Sequence, residues 1–252
     1  MIRTVLFAAF AGIIILFSLF IVLIPYGVLQ LLGMKSAAAK LLGWGAVLYG
    51  KALITCSGSR VEVRGLERFP RNAQRLCVVA NHQSLFDIPL LAGYLPVKMG
   101  FIAKKELSRI PVLNLWLIAL GSVLIDRRRR RSAIEAITRG VERIRAGVPL
   151  ALFPEGTRSR GVTMGRFKPG SLKLALRAEA VIVPVTIDGT YLMYEGHGKI
   201  RPASITLTVH DPVATENMPE ESQKRLADQL EETVRGGLQP AAQQRPADEG
   251  SG

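Results

Sequence analysis

Apolar residues are spread very unevenly over this 252-residue chain. Residues 4–34 contain no charged side chain, and 5–24 are apolar except for Gly12 and Ser18. About 20 such residues are enough for a helix to cross the hydrocarbon core of a bilayer. A secretory signal would have a shorter apolar region followed by a small-residue cleavage site, so the stretch reads as a retained membrane segment. Pro25 and Gly27 are expected to interrupt its helix. A second, mostly apolar stretch at 36–56 contains Lys40 and Lys51, eleven positions apart and so close to a whole number of helical turns. Two lysines on one face predict an amphipathic helix in the headgroup region, or the shallow arm of a hairpin, rather than a second clean span. The competing reading is a buried helix of a soluble core.

Beyond residue 58 the pattern changes to short apolar runs alternating with helical periodicity. Strands are predicted at 61–63, 76–80, 100–103, 122–125, 149–153, 181–187 and 204–209, with helices at 88–93, 111–119, 131–146 and 170–178. That alternation predicts an α/β fold: a mixed, largely parallel sheet flanked by helices, with an N-terminal helical membrane-anchoring segment. A charged amphipathic helix at 219–235 is expected to end the fold, and the residues after it have too little apolar content to pack. The expected partition is a membrane-associated helical segment at 1–58, an α/β domain at 59–238 and a disordered tail at 239–252. No internal repeat is visible.

Charge narrows the choice of partner. Lys and Arg outnumber Asp and Glu by 33 to 20, a formal net charge of +13. Nucleic acid, anionic lipid and phosphorylated substrates are all drawn to such a surface. Beside a membrane segment, lipid is the simplest partner. Nucleic acid is not expected, because there is no aromatic-rich strand, zinc spacing or recognised motif, and that reading leaves the apolar N-terminal region unexplained. In the basic block 127–131 the later arginines read as merely solvated. Cys56 and Cys77 are too few for a disulfide framework or a zinc cluster and fit a reducing compartment, which places the bulk of the chain on the cytoplasmic face. No Gly-x-Ser-x-Gly, His-Glu-x-x-His or P-loop sequence is present.

Candidate chemistry begins directly after the apolar run 76–80, where the chain reads Asn81-His-Gln-Ser-Leu-Phe-Asp87. His82 is one of three histidines, and imidazole is the side chain suited to accept a proton near neutral pH. With Ser84 as N-cap, Asp87 falls at N3, the arrangement of a capping box. Five positions along a continuous helix would separate the two side chains by about 140°. His82 before the helix and Asp87 reaching back over its entry can instead meet. The alternative is that Asp87 only caps a helix and His82 is a loop histidine. Local sequence leaves both open.

After the predicted strand 149–153 comes Phe153-Pro-Glu-Gly-Thr-Arg-Ser159. Glycine permits close backbone approach, threonine offers a hydroxyl and arginine a planar fork suited to phosphate oxygens. Either this is an anion site or Glu155 and Arg158 pair with each other in a turn. Phe101-Ile-Ala-Lys-Lys-Glu-Leu107 and Gly121-Ser-Val-Leu-Ile-Asp-Arg127 also place basic groups just past strands, where open α/β sheets build their sites.

Taken together, these segments and the apolar Val181-Ile-Val-Pro-Val185 resemble, in order, the four motifs of the glycerolipid acyltransferases, whose best-known members are 1-acyl-sn-glycerol-3-phosphate acyltransferases. The resemblance spans residues 80–190. It implies that His82 is a general base with Asp87 as its partner, and that Lys104, Lys105, Arg127, Glu155, Gly156, Thr157 and Arg158 bind the acceptor. In Phe167-Lys-Pro-Gly170, Pro169 replaces a residue often charged in the family, while Lys168 remains available for a phosphate. The implied reaction moves an acyl group from acyl-CoA or acyl carrier protein, as co-substrate rather than bound cofactor, to lysophosphatidic acid in a membrane. Neither a cofactor nor a metal is implied. The rival acceptor is another lysolipid, such as a lyso-amino-acid lipid.

Overall fold

The computed structural model describes residues 1–126 and 128–239. Arg127, and the part of the expected tail from residue 240 onward, lie outside the described residues. Helix α1 (Ile2–Ser18) runs through one turn of π-helix (Leu19–Leu23) directly into α2 (Ile24–Leu31). The expected break at Pro25 does not occur. In the π turn the Ile24 N–H reaches back five residues to the Leu19 carbonyl. This wider turn absorbs the donor that Pro25 lacks, and the helix continues through Gly27. The chain reverses at residues 32–34, and α3 (Lys35–Cys56) returns against α2 as the second arm of a hairpin. By length and composition both arms are apolar enough to cross a membrane, with mean hydropathies of 3.0 and 1.2. Helix α3 buries Leu42, Ala46 and Ile54 and leaves Lys40 and Lys51 exposed.

An eight-stranded sheet follows. Its strands are β1 (Arg60–Arg64), β2 (Leu76–Ala80), β3 (Gly100–Lys104), β4 (Val123–Ile125), β5 (Leu150–Leu152), β6 (Val181–Asp188), β7 (Ser204–Val209) and the short β8 (Val213–Ala214). The order is β1-β7-β6-β2-β5-β3-β4, with β8 on the start of β6. Strands β6, β2, β5, β3 and β4 pair in parallel, while β7 and β8 are antiparallel to β6 and β1 is parallel to β7. The sheet is thus mixed and largely parallel, as the alternating pattern predicts. Strand β8 was not anticipated, since two residues are too few to show a period.

Strand β2 lies in the interior of this sheet and all five of its residues are buried. Its successive side chains enter opposite layers. Val78 and Ala80 pack with residues of the hairpin, of α4 (Asp87–Tyr94) and of α5 (Pro111–Ala119). Cys77 and Val79 pack with α6 (Arg130–Arg145), α7 (Pro169–Arg177) and α8 (Glu220–Gly236). The hairpin therefore shares a core with the sheet. Trp116 of α5 donates its indole N–H to the Ser18 hydroxyl at 2.8 Å, and Phe7 meets Phe86 edge-on at 5.7 Å. Gln239, the first residue of the expected tail, donates its backbone N–H to the Asp188 carboxylate at 3.0 Å.

Candidate active site

Three of the four resembling segments lead out of the carboxyl ends of parallel strands, where open α/β sheets leave room for a ligand, while the fourth, Val181–Val185, forms the first part of β6. Asn81 makes the exit from β2 possible. Its side-chain oxygen accepts the Ile187 N–H at 2.7 Å and its amide donates to the Ile187 carbonyl at 2.8 Å. A side chain thereby replaces the next backbone rung between β2 and β6, and the main chain is free to turn away. Gln83 adds a tie to the same strand end by accepting the Gly189 N–H at 3.0 Å.

The turn that follows brings His82 and Asp87 together. His82 Nδ1 lies 2.7 Å from Asp87 Oδ2. The same oxygen accepts the N–H groups of Gln83 and Ser84 at 2.7 and 2.9 Å, and Oδ1 accepts the Thr190 hydroxyl at 2.6 Å. Asp87 is fully buried, and four donors offset the cost of placing a carboxylate there. The helix begins at Asp87 rather than just after Ser84, so only half of the expected capping box forms. Asp87 reaches back to the Ser84 N–H, while the Ser84 hydroxyl accepts from Phe86 and not from Asp87.

Because the Asp87 carboxylate can only accept, the hydrogen on the His82 ring belongs on Nδ1, and Nε2 presents its lone pair. Among the described residues Nε2 has no hydrogen-bond partner. The ring stacks on Phe153 with centroids 4.0 Å apart, and its side chain keeps 12% exposure, so the imidazole is held flat yet open on one side.

Glu155 occupies a different place from the one its sequence context implies. Its two oxygens accept backbone N–H groups, from His82 at 2.6 Å and from Gly165 at 2.7 Å. It does not pair with Arg158. Burial pushes its carboxyl above the ordinary value, against the lowering pull of those two donors. Together with the Ser159 N–H donating to the His82 carbonyl at 2.8 Å, this straps the loop 153–159 onto the His82 turn. Gly156 has a positive φ of 74°, and a β-carbon there would lie 2.8 Å from Lys168 Nζ. Lys168 thus stands over the loop. Arg158 bonds Glu195 at 3.0 Å.

Glu195 was missed in the sequence. Its side chain is only 6% exposed and also accepts the Leu85 N–H at 2.9 Å and the Ser84 hydroxyl at 2.6 Å. A lone acid 111 positions from Ser84, outside any motif, offers no local signal. Lys104 ends β3 on the same sheet edge but pairs with Glu106 at 3.2 Å; Lys105 and Thr157 are exposed. The structure brings His82, Asp87, Glu155, Gly156 and Arg158 together, and leaves the two lysines at the rim. Among the described residues no group of three or more His, Cys, Asp and Glu side chains stands ready for a metal ion.

A family model described as Acyltransferase matches residues 60–188, the stretch that holds His82, Asp87, Glu155, Gly156 and Arg158. The chain belongs to the acyltransferase family. Similar acyltransferases include a 1-acyl-sn-glycerol-3-phosphate acyltransferase of Chlamydomonas reinhardtii, 33% identical over 72% of this chain and 54% of the relative. Another is a 1-acyl-sn-glycerol-3-phosphate acyltransferase of Saccharomyces cerevisiae, 33% identical over 73% of this chain and 63% of the relative. The matches therefore span between half and two-thirds of these relatives' length. The crystal structure of the 1-acyl-sn-glycerophosphate (LPA) acyltransferase PlsC from Thermotoga maritima is similar over nearly its full length. It shares 33% identity and a TM-score of 0.77, covering 94% of this chain and 95% of that one.

Proposed function

We propose that this acyltransferase moves a fatty acyl group from acyl-CoA or acyl carrier protein to the sn-2 hydroxyl of 1-acyl-sn-glycerol 3-phosphate, giving phosphatidic acid for phospholipid synthesis. The observation that carries the reading is the His82–Asp87 pair, with Nδ1 committed to the carboxylate and Nε2 open. Nε2 removes the hydroxyl proton as that oxygen attacks the thioester carbonyl, while Asp87 steadies the imidazolium. The carbon–sulfur bond breaks, and the imidazolium returns the proton to the departing thiolate. No covalent enzyme intermediate is needed. The relatives named as 1-acyl-sn-glycerol-3-phosphate acyltransferases support this acceptor.

In this reading Arg158 and Lys168 receive the acceptor's phosphate, Gly156 allows it close to the backbone, and Arg127 is assigned to it from sequence. Thr157, Lys104 and Lys105 line the approach. Glu155 acts by positioning, since its oxygens are engaged by backbone donors. The apolar hairpin holds the site at the bilayer, with the catalytic domain on the cytoplasmic face.

The test is labelled thioester with lysophosphatidic acid and a panel of other lysolipids in purified membranes. His82→Ala is expected to lower turnover by about 10² to 10⁴ with membrane association unchanged. Retention of more than about a tenth of the rate would refute the base assignment. Arg158→Ala is expected to raise the KM for lysophosphatidic acid and leave that for the thioester alone. An unaltered acceptor KM would remove the phosphate role.

A further inference from the structure

Helix α5 is out of place as the surface helix of a water-soluble domain. Residues 110–125 contain no charged side chain, and of the nine residues of α5 only Trp116 and Leu117 are buried. Ile110, Leu115 and Ile118 are 48%, 44% and 62% exposed. A helix facing water on one side normally carries charged or polar residues there. Scattered exposed leucines need no explanation, whereas an uncharged helix with its apolar side chains uncovered does.

Its position says what covers it. Trp116 joins α5 to α1 through the 2.8 Å bond to Ser18 and stacks on Tyr49 of α3 at 6.4 Å, so α5 lies against both arms of the hairpin. Helix α5 contacts α1 and the π turn directly, where Phe17 and Phe20 are more than half exposed. The apolar surface of the hairpin is therefore continued onto the catalytic domain. The flanks of the uncharged run are net basic, with exposed Lys105 and Arg109 around Glu106 before it, and exposed Arg128 and Arg129 beside Asp126 after it. Across a cleft of about 440 Å³ the last turn of α5 faces a wall of Arg139, Glu142 and Arg143, which is net positive. Apolar surface flanked by cations fits the boundary between acyl chains and anionic headgroups.

We propose that α5 is a third lipid-contacting element, with Leu115 and Ile118 seated among the acyl chains of an anionic bilayer beside the hairpin. This rests on the reading that the hairpin enters the bilayer. It assigns the catalytic domain itself a share of the membrane surface and sets its tilt. The active-site edge is then held by two separate supports instead of swinging on one hairpin.

The test uses the full chain with Cys56→Ser, leaving the buried Cys77 in place. Single cysteines at Ile118, at Phe17 in the hairpin and at Arg225 on the exposed face of α8 carry a bimane label. Quenching is read in vesicles of phosphatidylcholine and phosphatidylglycerol whose acyl chains are brominated. The label at 118 is expected to lose at least about half its fluorescence, like that at 17, while the label at 225 loses none. Quenching at 17 without quenching at 118 would overturn the proposal and leave the hairpin reading standing. Absence of quenching at both would sink the two together. Shielding at 118 with disulfide formation between copies would assign the face to a second chain and also overturn it. As a functional readout, Leu115→Lys/Ile118→Lys is expected to slow acylation of vesicle-borne acceptor about fivefold or more. The rate on a short-chain acceptor dissolved below its micellar concentration stays within about twofold. Equal losses on both acceptors would contradict the proposal.

Discussion

Three buried carboxylates do three different things within one small volume. Asp87 takes the imidazole hydrogen, Glu155 takes two backbone N–H groups, and Glu195 gathers a hydroxyl, a backbone N–H and the Arg158 guanidinium. Only the first was readable as chemistry, because its partner lies in the same short segment. Glu155 was visible as a residue but not in its role: phosphate binding and backbone strapping use the same sequence. Glu195 connects the His82 turn to Arg158, and its removal strands three donors at once. Glu195→Ala is accordingly expected to cost about 2 kcal/mol or more of stability and to raise the KM for the phosphorylated acceptor several-fold, with the thioester KM unchanged. Denaturant unfolding and initial rates measure the two effects. A loss of stability alone would make Glu195 a purely structural anchor.

Between α3 and α4 the contact is closer than ordinary helix packing allows. A β-carbon on Gly50 would overlap the Pro89 carbonyl oxygen and lie 2.7 Å from the Gly93 nitrogen, and one on Gly93 would lie 2.8 Å from the Lys51 nitrogen. Small residues on both helices permit this approach. Because α4 begins at Asp87, the apolar hairpin is braced directly against the helix that orients His82. Gly→Ala inside a helix ordinarily stabilises by about 1 kcal/mol. Here Gly50→Ala is expected to destabilise by about 1–3 kcal/mol, because backbone atoms must move. It is also expected to lower kcat in the folded fraction. Thermal unfolding together with active-site-normalised kcat checks both, and an unchanged kcat would break the proposed link between anchor and catalytic pair. The periodicity of α3 was legible, including its lysine face. Its glycines were not, since a glycine in an apolar helix says nothing about what approaches it. Pro25 misled in the opposite direction: it is a reliable helix breaker only where no wider turn precedes it.

Across the whole molecule, the motif loops sit at the carboxyl ends of the parallel strands, while on the α8 side Thr186 of β6 joins α8 to His210, which follows β7. The Thr186 hydroxyl donates to the Val234 carbonyl at 2.7 Å, so its oxygen accepts from His210 Nε2, also at 2.7 Å. Burial pushes the His210 imidazole below its ordinary value, and the nearby Arg68 charge adds to that. The folded protein therefore refuses a proton that the unfolded chain takes up. The resulting stability is present above the ordinary histidine range and is lost as the pH falls through it. Between about pH 7.5 and 5.5, Tm is expected to fall less for His210→Gln than for the wild type. An identical fall in both would show that His210 does not contribute to the acid sensitivity. Most strand and helix positions, the apolar N-terminal segment and the candidacy of His82 and Asp87 were written in local order, because period, turn chemistry and capping act over a few neighbouring residues. Strand order, the engagement of Glu155, the arrival of Glu195 and the uncovered face of α5 depend on segments tens to more than a hundred residues apart. Those were decided only when burial of the two faces of one sheet brought them together.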